Sequence, residues 1–391
     1  MKRLAIVASH VIQYQAPFFR LLAREPELDV EVIYCSRAGA EVYEDVDMAT
    51  SLRWDIDLLD GYHHTFLRNL AHNPSGGFWR LVNPGVVPKL LRGRYDAVLL
   101  MLGWGSFTAM LAAVTCRLAG IPFLLFGDSS YPPAATSLRA RLRDRFLRAL
   151  FARTSAFMIS GVLNGEYYLH YGADRARFFS LPWAVDNERF ESASRFAPGE
   201  REAMRARYGI AADAMTIVYS AKLVPRKDPM TLLRAVAAMT HRRDAALLFL
   251  GDGELRPQLE AFAREAGLDN VRFAGFVNQA ELPKHYAMGD LFVLPSTYEP
   301  RGSVLNEAMA CGLPLVVTDR IGSIGDIVRD GDNAFIYPAG DVDALTVILD
   351  RLAADPALRM RMAQRSREII ATWSFAEGVE GVKQAMRSVA R

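Results

Sequence analysis

Two glutamates eight residues apart, Glu299 and Glu307, sit in a stretch whose other members are mostly apolar or small, from Ser296-Thr297-Tyr298 through Asn306 to Ala308-Met309-Ala310-Cys311-Gly312-Leu313-Pro314. Carboxylates only accept hydrogen bonds, so a pair suits a polyhydroxylated ligand. Earlier in the chain, Lys222, Arg226 and Lys227 crowd into the seven residues that follow the apolar run Thr216 to Ser220. Cations there, with the N-terminus of the next helix, could neutralise a diphosphate without a metal. Lys222 and Lys227 are the preferred pair, and Arg226 is expected to meet solvent or a carboxylate. In isolation each set would read as solvated surface charge. Their position beside strand ends, and the punctuation by Pro300, Gly302, Gly312 and Pro314, favours a shaped site.

The elements that must position these groups are short. Leu291 to Leu294 reads as a buried strand. Ser303 is expected to cap a helix that starts just before Leu305 and ends near Cys311, with Gly312 as a left-handed exit before the strand at Leu315. Glu299 then lies in a loop above the sheet and Glu307 early in the helix, at the carboxyl edge where open α/β sheets bind ligands. Gly251-Asp252-Gly253-Glu254 makes a tight glycine turn that serves either a phosphate or packing. It is too short for a dinucleotide fingerprint, and no early Gly-x-Gly-x-x-Gly exists.

The same rhythm of compact apolar strands and helices runs through the whole chain, twice. The first cycle places strands at Leu4 to Ala8, Val30 to Cys35, Ala97 to Leu102, Phe123 to Phe126, Ala156 to Ile159 and Phe178 to Leu181. The second places them at Thr216 to Ser220, Ala246 to Leu250, Val271 to Ala274, Leu291 to Leu294, Leu315 to Thr318 and Ala334 to Tyr337. Such alternation predicts two parallel sheets covered by helices, an α/β chain of two facing domains. The expected boundaries are 1–183 and 184–373, with a final helix from 374 to 391 packing across the junction. Arg37 to Arg80 is less regular and is expected to form an extended loop region facing a ligand cleft.

A length of 391 residues also favours two domains, and 51% hydrophobic with 23% charged residues fits a folded soluble protein. The net charge of +2 carries no polyanion footprint, and no groove-reading motif accompanies it, so nucleic acid is not an expected partner. Three scattered cysteines, Cys35, Cys116 and Cys311, make neither a disulfide framework nor a metal set and favour a reducing, cytoplasmic compartment. Asp55-Ile56-Asp57 resembles a metal pair only superficially, and no essential divalent metal is expected. The uncharged run from Ala97 to Thr115 is broken by Gly103-Trp104-Gly105 into a strand and a helix, which makes it a buried β-α-β unit. Ser137 to Phe151 is a basic amphipathic helix with Leu138, Leu142, Phe146 and Leu150 at four-residue spacing. It reads either as a covering helix with a solvated basic face or as an attachment to anionic lipid or a phosphate-bearing acceptor, at the inner face of a membrane.

Together these motifs resemble the retaining glycosyltransferases with two facing Rossmann-like domains, GT-B family 4. The Glu299-to-Glu307 spacing matches that family's E-x7-E signature, and Pro295-Ser296, Asn306 through Pro314 and Gly325 through Asp332 extend the match. Pro182-Trp183-Ala184-Val185-Asp186 looks like its interdomain segment, with Trp183-Ala184 where Asn-Gly is common. The resemblance implies that Lys222 and Lys227 contact the donor diphosphate, Glu299 the donor sugar hydroxyls and Glu307 the nucleotide ribose. Phe276 and Val277 match the region that frames the base, and Leu305 and Asn306 would offer backbone groups to phosphate or sugar. Lys222 stands where arginine is frequent, so charge is kept without the guanidinium fork. The histidine-aspartate pair common after the strand at Phe123 to Phe126 is here Gly127-Asp128. Acceptor-side candidates are therefore Asp128, His10, Gln13, Tyr14 and Trp104, each with a local structural role as its rival.

The function implied is retaining transfer of a hexose-like sugar from a nucleoside diphosphate sugar to a hydroxyl of a glycan or glycolipid, with no cofactor required. Glycosylation of a small-molecule natural product is the chief competitor. A nucleotide-sugar epimerase would act without an acceptor, and a noncatalytic sugar-nucleotide-binding protein would show no turnover.

Overall fold

The computed structural model describes residues 1–41, 43–45, 50–71, 77–129 and 137–389. Two compact units emerge, one of residues 1–43, 57–183 and 374–391, the other of 44–56 and 184–373. Parts of the irregular Arg37 to Arg80 region (42, 46–49 and 72–76) lie outside the described residues, as does Ser130.

Among the described residues fifteen strands form, in chain order: β1 (Lys2–Ala8), β2 (Leu28–Tyr34), β3 (Tyr43–Asp45), β4 (Thr50–Leu52), β5 (His63–Phe66), β6 (Ala97–Leu100), β7 (Phe123–Phe126), β8 (Ala156–Ile159), β9 (Phe178–Ser180), β10 (Met215–Ser220), β11 (Ala245–Leu250), β12 (Val271–Gly275), β13 (Leu291–Leu294), β14 (Leu315–Thr318) and β15 (Ala334–Tyr337). The first unit's sheet has the order β5-β2-β1-β6-β7-β8-β9 and the second's β12-β11-β10-β13-β14-β15, while β3 and β4 pair as a separate ribbon. The pairings within both large sheets are parallel, as with Leu4 beside both Val30 and Ala97, and Ile217 beside both Leu247 and Leu291. Continuous apolar runs such as Leu4-Ala5-Ile6-Val7-Ala8 and Leu291-Phe292-Val293-Leu294 are buried because helices cover both faces. These are the two Rossmann-like sheets expected from the strand rhythm.

Each sheet order reverses direction at one place. In the first unit the chain turns outward on either side of β1 and β6, and in the second on either side of β10 and β13. Loops leaving the two strands at such a switch point diverge and open a crevice at the carboxyl edge.

Three features depart from the sequence reading. A strand, β5, forms inside the supposedly irregular region and joins the sheet edge beside β2; its His63-His64-Thr65-Phe66 sequence lacks the aliphatic signature of a buried strand. The helix Ser303–Ala310 is entered through Gly302 (φ 73°, ψ 67°), so a left-handed glycine, rather than a Ser303 side chain, makes the start. Gly312 does take the left-handed exit (φ 80°). In the basic helix Leu138–Arg153 the four-residue stripe is not the packed face: Leu147 and Phe151 are buried, whereas Leu138, Leu142 and Phe146 are exposed.

The last helix, Phe375–Val389, packs on the first unit with Phe375, Val379, Val382 and Met386 inward. A side chain at Gly381 would meet the Ser180 carbonyl at 1.7 Å, so only glycine permits this approach to β9. Among the described residues no helix is long and apolar enough to cross a membrane.

Candidate active site

In the second unit, the loops after β10 and β13 carry the lysines and the first glutamate. Lys227 ends the short turn Pro225–Lys227, and its ammonium donates to the Glu299 carboxylate, both side chains being only 11% exposed. Two further bonds hold the loops together: the Thr297 N–H and hydroxyl both donate to the Arg226 carbonyl, at 3.0 and 3.2 Å. Asp228, next to Lys227, adopts a left-handed conformation (φ 44°) rare for a residue with a side chain. Its carboxylate compensates by capping the helix Pro229–Ala238, accepting from the Thr231 N–H at 3.3 Å and hydroxyl at 2.7 Å. The sharp turn aims Lys227 back at the sheet edge.

Glu299 is fixed through its backbone. Its N–H donates to the Arg320 carbonyl (3.2 Å) and its carbonyl accepts from the Gly322 N–H (2.8 Å). Behind it, the buried guanidinium of Arg301 pairs with Asp326 at 3.2 Å, and the Ser323 hydroxyl donates to the Arg301 carbonyl. Arg301 is thus part of the loop's frame.

Glu307 lies about one turn into the Ser303–Ala310 helix, buried, and accepts from the Tyr286 hydroxyl at 2.8 Å. Burial pushes its carboxyl up to about 7, against the opposing pull of the Tyr286 hydroxyl, the Arg189 charge and Gln279. Arg189 itself grips Gln279 twice, donating to its carbonyl at 2.8 Å and its side-chain oxygen at 2.6 Å. Sequence reasoning did not single out Tyr286, Gln279 or Arg189, which stand outside the glutamate motif and read as ordinary packing. Leu305 and Asn306 are buried in the same helix, and the Leu305 N–H already donates to the Gly302 carbonyl at 2.8 Å.

The glycine turn after β11 packs closely on the Lys222 loop. Side chains at Gly251 and Gly253 would meet the carbonyls of Ala221 and Leu223 at 2.1 and 2.6 Å, and the Leu223 N–H donates to the Asp252 carbonyl at 2.9 Å. Phe276 and Val277 follow β12 and are half-buried. Trp54 approaches Phe276 edge-on, ring centroids 6.3 Å apart, while the Asn278 side chain donates to the Arg53 carbonyl at 2.7 Å. Asp55 accepts from the Ala280 N–H (3.2 Å), and Asp57 accepts instead from the N–H groups of Leu59 and Asp60. These two carboxylates are therefore occupied by different backbone turns. Among the described residues no group of three or more His, Cys, Asp or Glu side chains could hold a metal ion.

In the first unit, His10, Gln13 and Tyr14 follow β1, Trp104 follows β6 and Asp128 follows β7, all at the carboxyl edge. His10 Nδ1 lies 2.9 Å from the Ser9 hydroxyl, and burial with the nearby Arg80 charge lowers its pKa, favouring the neutral ring. Tyr14 packs on Trp183, on which Phe126 also stacks, with an interplanar angle of 12°. Trp183, where the resemblance leads one to expect asparagine, thus joins the acceptor-side candidates in an aromatic wall. Trp104 packs against the core, and Asp128 is exposed.

The model of the family "Glycosyl transferases group 1" matches residues 200–369. Over 313 residues the chain is 32% identical to a GDP-mannose-dependent alpha-(1-6)-phosphatidylinositol monomannoside mannosyltransferase of Mycolicibacterium smegmatis, covering 73% of this chain and 76% of that one. It is 30% identical over 297 residues to a 2-deoxystreptamine glucosyltransferase of Streptomyces kanamyceticus, covering 72% and 74%. In fold it is similar to Anabaena HepE crystallised with UDP and glucose, with a TM-score of 0.73 at 17% identity over 99% of this chain and 100% of that one. The chain belongs to the group 1 glycosyl transferases, GT-B enzymes that move a sugar from a nucleoside diphosphate sugar to a hydroxyl acceptor.

Proposed function

We propose that this enzyme transfers a hexose with retention of anomeric configuration, and that the second unit's switch point holds the donor. The observation that carries this reading is the Lys227–Glu299 contact between the loops after β10 and β13. Donor binding would part the pair: Lys227, with Lys222, turns to the diphosphate, and Glu299 accepts from the sugar hydroxyls. Glu307, held by Tyr286, accepts from the ribose, and Phe276 and Val277 flank the base. The acceptor oxygen then attacks the anomeric carbon on the face from which the diphosphate leaves. The carbon–oxygen bond to phosphate breaks as the new glycosidic bond forms, and the hydroxyl proton passes to the departing phosphate. Lysine ammonium groups preorganised at that phosphate stabilise its developing charge with little reorganisation. No residue need form a covalent intermediate, and no metal is assigned.

The acceptor-side residues His10, Gln13, Tyr14, Trp104 and Asp128 would line the first unit's edge, where the Tyr14–Trp183–Phe126 wall offers a face for a sugar ring. The acceptor is a glycan or glycolipid hydroxyl. A small-molecule acceptor is the second reading, favoured by the likeness to the 2-deoxystreptamine enzyme. The buried thiols of Cys35, Cys116 and Cys311 suit a reducing compartment. Purified protein offered labelled GDP- and UDP-hexoses with lipid-linked, oligosaccharide and small-molecule acceptors should give a product whose NMR coupling reports the donor's own anomeric configuration. An inverted linkage, or donor interconversion without acceptor, would overturn the proposal.

A further inference from the structure

In the first unit, the helices Phe107–Ala119 and Leu138–Arg153 lie side by side, and their outward faces carry apolar side chains that no part of the described chain covers. Val114 and Leu118 project from the first helix, and Leu138, Leu142 and Phe146 from the second, each 47–83% exposed. Leu142 and Phe146 occupy the side opposite Leu147 and Phe151, which anchor that helix in the core. Between the helices runs an apolar groove of about 370 Å³, floored by Met110, Ala113 and Leu150 and bordered by Arg117 and Arg153. At the far end of the first helix, the exposed Trp79 stacks on Phe107 with ring centroids 5.2 Å apart. A soluble monomer rarely leaves so many large apolar groups together.

The charge around this face identifies what covers it. The Leu138–Arg153 helix holds six arginines against one acid, Asp144, which is already paired with Arg143 at 2.9 Å. Arg141 and Arg145 flank the stripe on one side and Arg139 on the other, all exposed. A two-fold contact with a second copy would set one arginine row against another, which like-charge repulsion opposes. An anionic bilayer meets both demands at once, since the arginines reach headgroup phosphates while leucine, phenylalanine and tryptophan enter the boundary with the acyl chains.

We infer that this two-helix face docks the enzyme on an anionic lipid bilayer, with Leu142, Phe146, Val114 and Leu118 inserted, Trp79 at the interface, and the arginines on the lipid phosphates. The inference rests on the first unit alone and stands whichever donor or acceptor the transfer reaction uses.

The test is co-sedimentation of the full chain with vesicles of pure phosphatidylcholine or of phosphatidylcholine containing roughly one-third phosphatidylglycerol. The expected result is binding to the anionic vesicles, weakened by salt, with a blue shift in tryptophan fluorescence that Trp79→Phe reduces. Arg141→Glu with Arg145→Glu should weaken vesicle binding by at least about tenfold, and Leu142→Ser with Phe146→Ser by about as much. Both pairs are surface changes, and unaltered thermal melting would show that the fold is kept. Failure of the wild-type chain to bind anionic vesicles at low salt, equal binding by the charge-reversed variant, or a concentration-dependent dimer abolished by Leu142→Ser and Phe146→Ser would each overturn the inference.

Discussion

Two buried glutamates, Glu31 in the first unit and Glu307 in the second, are held very differently. Glu31, in β2 of the first unit, accepts from Lys89 at 2.5 Å, from the Tyr95 hydroxyl at 2.6 Å and from the Thr65 hydroxyl. Burial alone would raise its pKa, but those donors prevail and bring it down to about 2. Glu307 is buried too, yet its close partners are a tyrosine hydroxyl and an amide, and its carboxyl rises to about 7. A carboxylate fully served by its own chain is structural. One that the fold leaves short of charged donors retains capacity for a ligand's hydroxyls, and that imbalance is a mark of functional sites.

The largest effect that could break this contrast is expected at Glu31. Glu31→Ala strands Lys89 and Tyr95 and should cost about 3–5 kcal/mol in chemical denaturation, with nucleotide affinity unchanged. The native carboxyl titrates below the unfolded one, so Glu31's contribution is present above about pH 4.5 and disappears as pH falls through about 2. Lys227→Ala should instead leave melting nearly intact and lower turnover by about 10²–10³-fold, measured with saturating acceptor.

Glu307→Gln sharpens the comparison through pH. Because the carboxyl is raised to about 7, it is mostly neutral at pH 6 and ionised at pH 8. Wild-type nucleotide affinity should therefore rise by about tenfold across that interval, and the Gln variant should lose this dependence in calorimetric titrations. Stability runs the other way. Between about pH 4.5 and 7 the native state keeps a proton that the unfolded chain has released, so Glu307 lowers stability as pH rises through that window. The smallest effect is expected at Asp228, where Asp228→Ala removes a helix cap and leaves an alanine at φ 44°, costing about 1–2 kcal/mol of stability. Asp228→Asn, which tolerates that conformation, should lose much less.

The contrast also marks what could be read from sequence. Strands β13 and β14 were legible to the residue because short apolar runs stood between proline and glycine. Both motif glutamates and Lys227 could be named because they lie just beyond such strands or inside the helix that follows. Glu31 could not be separated from any other charge in Leu28-Asp29-Val30-Glu31-Val32, since its partners come from residues 34 to 64 positions away. Tyr286, Gln279 and Arg189 were hidden for the same reason, as was the role of Trp183 between Tyr14 and Phe126. The basic helix misled for a different reason. A stripe at four-residue spacing identifies an apolar face but not which side meets the core, and here the core takes Leu147 and Phe151 instead.

The most direct test of the donor site is a calorimetric comparison of a nucleoside diphosphate with its sugar-bearing form, using wild type, Lys227→Ala and Glu299→Gln. Lys227→Ala should weaken both ligands alike, whereas Glu299→Gln should weaken the sugar nucleotide alone and leave the diphosphate's Kd unchanged. Equal losses for both ligands in the Glu299 variant, or none in the Lys227 variant, would contradict the division of labour between the two side chains.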